Sequence, residues 1–178
     1  MPVGLQEVHS TETLLLALFD VSAAFDTVDH NILLKRLNVT FAVSGSFLRQ
    51  IGSFLHERTY CVVHGSTRSR WVPAPYGLPQ GSVLGPLLYI IYTSGLTLLL
   101  AEHGALGQLY ADETQAYMHC MSSKAATTVR AMGQTLTALE TWMASNRLCL
   151  NHAKTKFMGT PQQLAKLNLI DLSAEFSN

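Results

Sequence analysis

Charge is what this sequence has least of. Only 13% of its 178 residues are Asp, Glu, Lys or Arg, and twelve basic residues balance twelve acidic ones to a formal net charge of zero. Phosphate neutralisation normally draws on an excess of Lys and Arg, so the balance argues against an autonomous nucleic-acid binder held by a broad basic field and leaves room only for a local basic strip. Cysteine is scarce as well. Cys61, Cys120 and Cys149 are scattered, odd in number, and lack a Cys-x-x-Cys spacing or a neighbouring His cluster. They read as reduced thiols of an intracellular protein, with neither a disulfide framework nor a zinc site. No basic leader runs into an apolar stretch with a small-residue cleavage site, so no secretory signal is expected, and nucleus and cytoplasm are not distinguished. No internal repeat appears. What the chain does have is apolar mass: 48% hydrophobic residues argue for an ordered core, and the length suits a single domain.

Residues 71–101 contain no charged residue and no His. Within them, residues 83–101 reach the length of a marginal transmembrane helix. Gly85, Pro86, Ser94 and Gly95 interrupt the run and basic flanks are missing, so a buried helix is expected over a membrane span.

In chain order, the apolar run Leu14 to Phe19 enters Asp20. A short continuous run fits a strand buried on both faces, where a terminal Asp is costly unless it is paired, hydrogen-bonded or metal-bound. Asp26 and Asp29 have the spacing of a capping box ahead of a helix carrying Ile32, Leu33, Leu34 and Leu37, with His30 on an exposed or helix face. A second helix is expected over residues 46–55. An alternating hairpin follows over 58–72, turning at Gly65-Ser66 and carrying Arg58, Arg68 and Arg70. Those arginines suit either a solvated edge or phosphate contact.

The stretch from Pro73 to Ser82 holds three prolines and two glycines. It reads as a rigid loop whose backbone comes close to a ligand at Gly81, with Gln80 as an outward donor and acceptor. Ser82 is a helix N-cap candidate, Pro86 falls in the first turn, and residues 87–100 are expected in the interior. Later, Ala125, Ala126, Val129, Met132, Leu136, Leu139 and Met143 recur at helical spacing, marking the buried face of a long helix ending near Asn146. Residues 148–150 and 155–158 fit a closing pair of strands around a turn. No element is expected after Gly159.

Between two aromatic and polar runs, Asp112 and Glu113 fall at the tip of an expected two-residue hairpin. Such tips favour Asn-Gly or Asp-Gly, so two acids break a local rule. Side by side they repel unless a cation neutralises them, and hard carboxylate oxygens suit Mg²⁺; an isolated acidic pair would otherwise read as a solvated turn.

The order of an acid at a strand end, a Gly-rich loop opening a helix, an acidic tip and a later Lys is the layout of a two-metal nucleotidyl transferase. Asp20 and Asp112 would hold two Mg²⁺ ions about 4 Å apart, with Mn²⁺ as a substitute. The wording is specific. Residues 18–30 read LFDVSAAFDTVDH, 77–86 read GLPQGSVLGP, 110–115 read YADETQ, and Leu150-Asn151 precede Lys154-Thr155. Over residues 13–166 these blocks resemble the reverse transcriptase of non-LTR (LINE-type) retrotransposons, nearest the CR1 and L2 kinds, leaving 1–12 and 167–178 as unassigned tails.

The resemblance implies an α+β palm, an antiparallel sheet flanked by helices. It makes Asp20 and Asp112 metal ligands, with Glu113 standing where the family usually has another Asp. It makes Phe25 the steric gate against a 2′ hydroxyl, Gln80 and Gly81 contacts to the incoming nucleotide and template, and Lys154 the proton donor to the leaving pyrophosphate. An RNA template, a DNA primer and deoxynucleotides are the implied partners; a membrane is not, and the oligomeric state is left open. Fingers ahead of Asp20 and a thumb after Lys154 are not recognisable. Glu113 keeps the charge of the usual Asp but is one methylene longer, and misplacement of order 1 Å costs about a hundredfold in rate, so impaired catalysis is expected. The alternative is a non-catalytic remnant acting as a binding or interaction module.

Overall fold

A computed structural model describes residues 12–110 and 113–161. Its packing divides the chain into two compact units. One comprises Leu96–Thr141 with the chain up to Asp20 and from Asn151; the other comprises Val21–Gly95 and Trp142–Leu150.

The first unit is built on β1 (Glu12–Ser22), whose residues 12–20 pair antiparallel with β7 (Glu113–Met121), which pairs in turn with β6 (Leu106–Tyr110). The other edge of β1 takes β9 (Lys156–Met158), opposite residues 16–18. The burial of β1 corrects the expectation of a strand covered on both faces. Leu15, Ala17 and Phe19 are buried, whereas Leu14 is exposed and Leu16, Leu18 and Asp20 are half-buried. Successive strand side chains point to opposite faces, so one face joins the core and the other stays open. β7 obeys the same alternation: Thr114, Ala116 and Met118 are buried, and Glu113 and His119 are exposed.

Helix α5 (Ala125–Ser145), preceded by a 3₁₀ turn at Ser122–Lys124, buries Ala125, Val129, Met132, Leu136 and Leu139 in this unit, the face that periodicity marks. Ala126 is exposed instead. On β6, Gly107 lets Leu100 come so close that a Cβ there would clash with it.

The second unit holds α1 (His30–Val39), which packs on both α2 (Gly45–Leu55) and α3 (Leu84–Thr93). Leu33, Leu37, Ile51, Leu55, Leu88, Tyr89 and Tyr92 are buried there. Asp29 itself is the N-cap of α1: its Oδ1 accepts from the backbone N–H groups of Asn31 and Ile32 at 2.9 and 3.2 Å. The expected box led by Asp26 therefore does not form, because the helix starts one residue after Asp29. The expected 58–72 hairpin forms as two antiparallel pairs, β2 (Thr59–Tyr60) with β5 (Val72–Pro73) and β3 (Val63–His64) with β4 (Thr67–Arg68), and it turns at Gly65-Ser66 with Gly65 at φ +59°.

Residues 84–102, apolar and long enough by composition to cross a membrane, break at Ser94 into α3 and α4 (Gly95–Glu102). Each helix buries one side only. Leu88, Tyr89, Tyr92, Leu96 and Leu100 are inside, whereas Leu87, Ile90 and Leu98 are exposed, against the expectation that the whole run is interior. The N-cap of α3 is Val83 and not the expected Ser82, which lies one residue earlier; the Ser82 Oγ still accepts from Gly85 N–H at 3.0 Å and donates to the Pro79 carbonyl at 2.7 Å.

The closing strands also differ from expectation. β8 (Cys149–Leu150) and β9 do not pair with each other; β8 pairs with Val21 and Ser22, and β9 with Leu16, Ala17 and Leu18. Each fills an open row of β1 hydrogen bonds, which an isolated two-strand pair would leave unmet.

Candidate active site

Strand pairing assembles the acidic site of the first unit. Asp20 lies directly opposite Glu113, and Glu113 directly opposite Tyr110. Glu113 is thus the first residue of β7 and not part of the hairpin tip, which corrects the placement expected from turn chemistry. Ala111 and Asp112 lie outside the described residues. Because Asp20 and Glu113 share a cross-strand position, their side chains project to the same open face. Like charges so placed destabilise a sheet unless countered.

The counter-charge arrives from the turn before β9. Asn151 N–H donates to the Asp20 carbonyl at 2.9 Å, and the Asn151 carbonyl accepts from the N–H groups of Lys154 and Thr155 at 3.1 and 3.0 Å. This tight turn carries Lys154 Nζ to 3.5 Å from Asp20 Oδ2, with the Asp20 side chain 22% exposed and that of Lys154 67% exposed. A cavity of about 470 Å³ lies there, lined by Asp20, Glu113, Gln115, Lys154 and Lys156 among others. Lys156, which sequence reading passed over, reaches the same face because it stands opposite Leu18. Two carboxylates on one rigid face form a hard-oxygen donor set that suits Mg²⁺ or Mn²⁺. Among the described residues no group of three or more His, Cys, Asp and Glu gathers as a metal cluster; Asp20 and Glu113 are the described donors.

The second unit holds Phe25, Gln80 and Gly81. Ala23 bends the chain at φ +48°, and Phe25 then stacks on Tyr89 with centroids 4.9 Å apart and planes at 21°. The Pro-rich loop is fastened to the Phe25 segment by its backbone. Gly77 N–H donates to the Val28 carbonyl at 2.8 Å, Leu78 N–H to the Phe25 carbonyl at 2.7 Å, and Asp29 bridges Tyr76. Gly77 sits at φ +88° with the Asp26 backbone 3.0 Å from where a Cβ would lie. Gln80 is exposed, with Nε2 3.5 Å from Asp26 Oδ1. Gly81, at φ +77°, faces open space, so its backbone angle rather than crowding selects glycine.

Four residues that sequence reading left open or passed over, His30, Arg147, Tyr92 and Arg36, complete this fastening. Of the two placements expected for His30 the helix one holds, as the first residue of α1, but the side chain is buried, and its Nε2–H donates to the Gly77 carbonyl at 2.7 Å. Asp29 Oδ2 accepts from Arg147 Nε at 2.8 Å. Tyr92 O–H donates to the Asn146 carbonyl, and Arg36 Nη2 donates to Asn146 Oδ1 at 2.6 Å. Burial pushes the Tyr92 phenol above its ordinary pKa and pulls the Arg36 guanidinium below its own. Adjacent Asp29-His30 at a helix start was the sole local signal; the partners lie 47 and 118 residues away.

A sheet with opposed carboxylates on its open face and a Gly-rich loop ahead of a helix define a polymerase palm, and known folds agree. Two telomerase structures from Candida tropicalis superpose. The apo form truncated from its C-terminal domain has a TM-score of 0.61 at 17% identity, over 84% of this chain and 31% of that one. The form in complex with a fragment of telomeric RNA has a TM-score of 0.66 at 15% identity, over 88% and 27%. At such identities the likeness establishes the fold. Residues 4–167 match the family described as reverse transcriptase (RNA-dependent DNA polymerase), and the chain belongs to that family. It is 31% identical over 156 residues to the RNA-directed DNA polymerase from mobile element jockey of Drosophila melanogaster. It is likewise 31% identical over 157 residues to the probable RNA-directed DNA polymerase from transposon BS of the same fly. Each match covers 85% of this chain and 17% of the relative, so the chain spans under a fifth of their length.

Proposed function

We propose that this chain is the palm portion of an RNA-directed DNA polymerase of non-LTR retrotransposon type, extending a DNA primer on an RNA template inside the cell, with residues 13–166 as the functional region. The observation that carries this reading is Asp20, opposite Glu113 and 3.5 Å from Lys154, on the open face of the sheet. Asp20, Asp112 and Glu113 are the residues to hold Mg²⁺, which when bound supplies activation of the primer 3′ hydroxyl and charge neutralisation on the triphosphate. Asp20 meanwhile holds the Lys154 ammonium in place, and Lys154 is the proton donor for the leaving pyrophosphate. Phe25, braced by Tyr89, disfavours a 2′ hydroxyl, and Gln80 and Gly81 contact the incoming nucleotide and template.

Glu113, where the family usually carries Asp, favours a second reading in which the copy binds nucleic acid without extending it. The test is extension of oligo(dT) on poly(rA) with dTTP and Mg²⁺. Extension that Asp20→Ala abolishes supports the polymerase. A chain that extends nothing, with no difference on Asp20→Ala, sinks the enzymatic reading.

A further inference from the structure

Lys154 depends for its place on more than Asp20. Their pair is 3.5 Å long and the lysine is largely exposed, so the contact by itself holds a flexible four-carbon arm weakly. What fixes the ammonium is the turn that carries it, residues 151–155. Strand β1 holds that turn at both ends: Asn151 N–H donates to the Asp20 carbonyl at 2.9 Å, and Lys156, the next residue, stands opposite Leu18. Between these ends the turn bonds to itself. The Asn151 carbonyl accepts from the N–H groups of Lys154 and Thr155 and from the Thr155 hydroxyl at 2.9 Å, and Asn151 Oδ1 accepts from Lys154 N–H at 3.3 Å. Bonds of that kind keep the shape of a turn but do not stop it from rocking about its two ends.

His152 supplies a third point of attachment. Its Nε2 lies 3.5 Å from Glu140 Oε1 on α5. Glu140 is a firm base, because its side chain is only 21% exposed and Leu136 and Leu139 of the same helix are buried. The turn thus looks two ways: Ala153 and Lys154 line the cavity of the acidic site, and His152 reaches α5. The charged groups on the elements around it are Asp20 on β1, Glu113 on β7, Glu140 on α5, Lys154 on the turn and Lys156 on β9. Of these, Glu140 is within ion-pair distance of His152. We infer that His152 and Glu140 form a brace fixing the Lys154 turn to α5, which makes both of them positioning residues for Lys154. They act through the turn and not on the reacting groups. The inference rests on the polymerase reading for its purpose, proton delivery by Lys154, and on geometry alone for the brace. A neutral imidazole offers Glu140 one hydrogen bond, and a charged one adds Coulomb attraction, so the brace tightens as pH falls from about 8 to 5, the range in which imidazoles charge.

The test is amide hydrogen exchange of the full chain, read as protection at Lys154 and Thr155, whose N–H groups bond the Asn151 carbonyl. At about pH 5.5, where imidazoles are charged, His152→Gln and Glu140→Gln should each lower that protection about two- to fivefold, as expected for a partly exposed pair. The double variant should lose no more than either single one, because the two residues act through one contact. His152→Lys keeps a cation opposite Glu140 throughout, so it should match the parent at about pH 5.5 and exceed it at about pH 8. Protection over residues 14–17 of β1 should not change, which separates loosening of the turn from general loss of stability. Unchanged protection of the turn in both single variants overturns the brace, and so do losses that add in the double variant. Primer extension by the same proteins tests the purpose. Both single variants should lower kcat by a similar factor and leave KM for dTTP unaltered, since proton delivery belongs to the chemical step, and His152→Lys should restore kcat. Lost protection with kcat unchanged overturns the positioning role. Lost protection in a chain that extends nothing supports the brace and sinks the polymerase; extension with protection unchanged in both single variants does the reverse.

Discussion

The Nε2–H of His30 donates to the carbonyl oxygen of Gly77 at 2.7 Å, joining the first turn of α1 to the loop that carries Gln80 and Gly81. The bond is buried at the histidine end, so its removal leaves a carbonyl without its partner. His30→Ala should therefore cost about 1–3 kcal/mol in urea unfolding. Amide exchange at Gly77 and Leu78 should quicken, because their N–H groups bond the neighbouring Val28 and Phe25 carbonyls. His30→Gln, which retains a donor, should recover part of both; equal loss in the two variants would show that packing rather than the bond holds the loop.

Arg147 ends α5 in a Schellman arrangement. Leu148 N–H donates to the Met143 carbonyl and Arg147 N–H to that of Ala144, with Arg147 itself at φ +54°. Glycine is the usual residue there, and a side chain costs about 1 kcal/mol or more. Arginine stays because its guanidinium pairs with buried Asp29 and lies 5.9 Å over the Tyr76 ring. Arg147→Ala loses the pair and keeps the strain, so it should be clearly destabilising. Arg147→Gly loses the pair but releases the strain, and should lie within about 0.5 kcal/mol of the parent, since a pair with one exposed partner contributes about 1 kcal/mol or less. Thermal or urea midpoints for the two variants decide it; equal midpoints would remove the strain argument.

Two glycines of the same loop should respond differently to alanine. At Gly77 a Cβ meets the Asp26 backbone at 3.0–3.2 Å in addition to the φ of +88°, whereas at Gly81 it meets open space at φ +77°. Gly81→Ala should cost about 1 kcal/mol of backbone strain, and Gly77→Ala distinctly more, because backbone cannot move aside. Urea unfolding of both gives the order; a reversed order contradicts the packing described for Gly77.

Glu113→Asp shortens the arm opposite Asp20 to the length usual in the family. On the polymerase reading, Mg²⁺-dependent extension should rise, by up to about a hundredfold if a displacement near 1 Å is what Glu introduces. Stability should change by less than about 0.5 kcal/mol, because Glu113 is exposed. A fall in extension would mean that the longer arm is matched to its surroundings in this chain.

The α+β class, the helices α1, α2 and α5, the turn at Gly65-Ser66 and the candidate acids were legible in the sequence, because each depends on local periodicity, local turn chemistry or the type of side chain a reaction needs. The order of residues alone determined which groups were available: Asp20, Asp112, Glu113 and Lys154, with Phe25, Gln80 and Gly81. Only tertiary structure decided which of the described groups meet. The two faces of β1, the transfer of Glu113 from a turn into a strand, the pairing of β8 and β9 with β1, and the partners of His30 and Asp29 are all contacts between residues far apart in the chain. A hydrogen-bond donor near one helix end records nothing of the carbonyl it will find 47 residues later. Local propensity sets the elements, and register across the sheet and burial of the loop set the site.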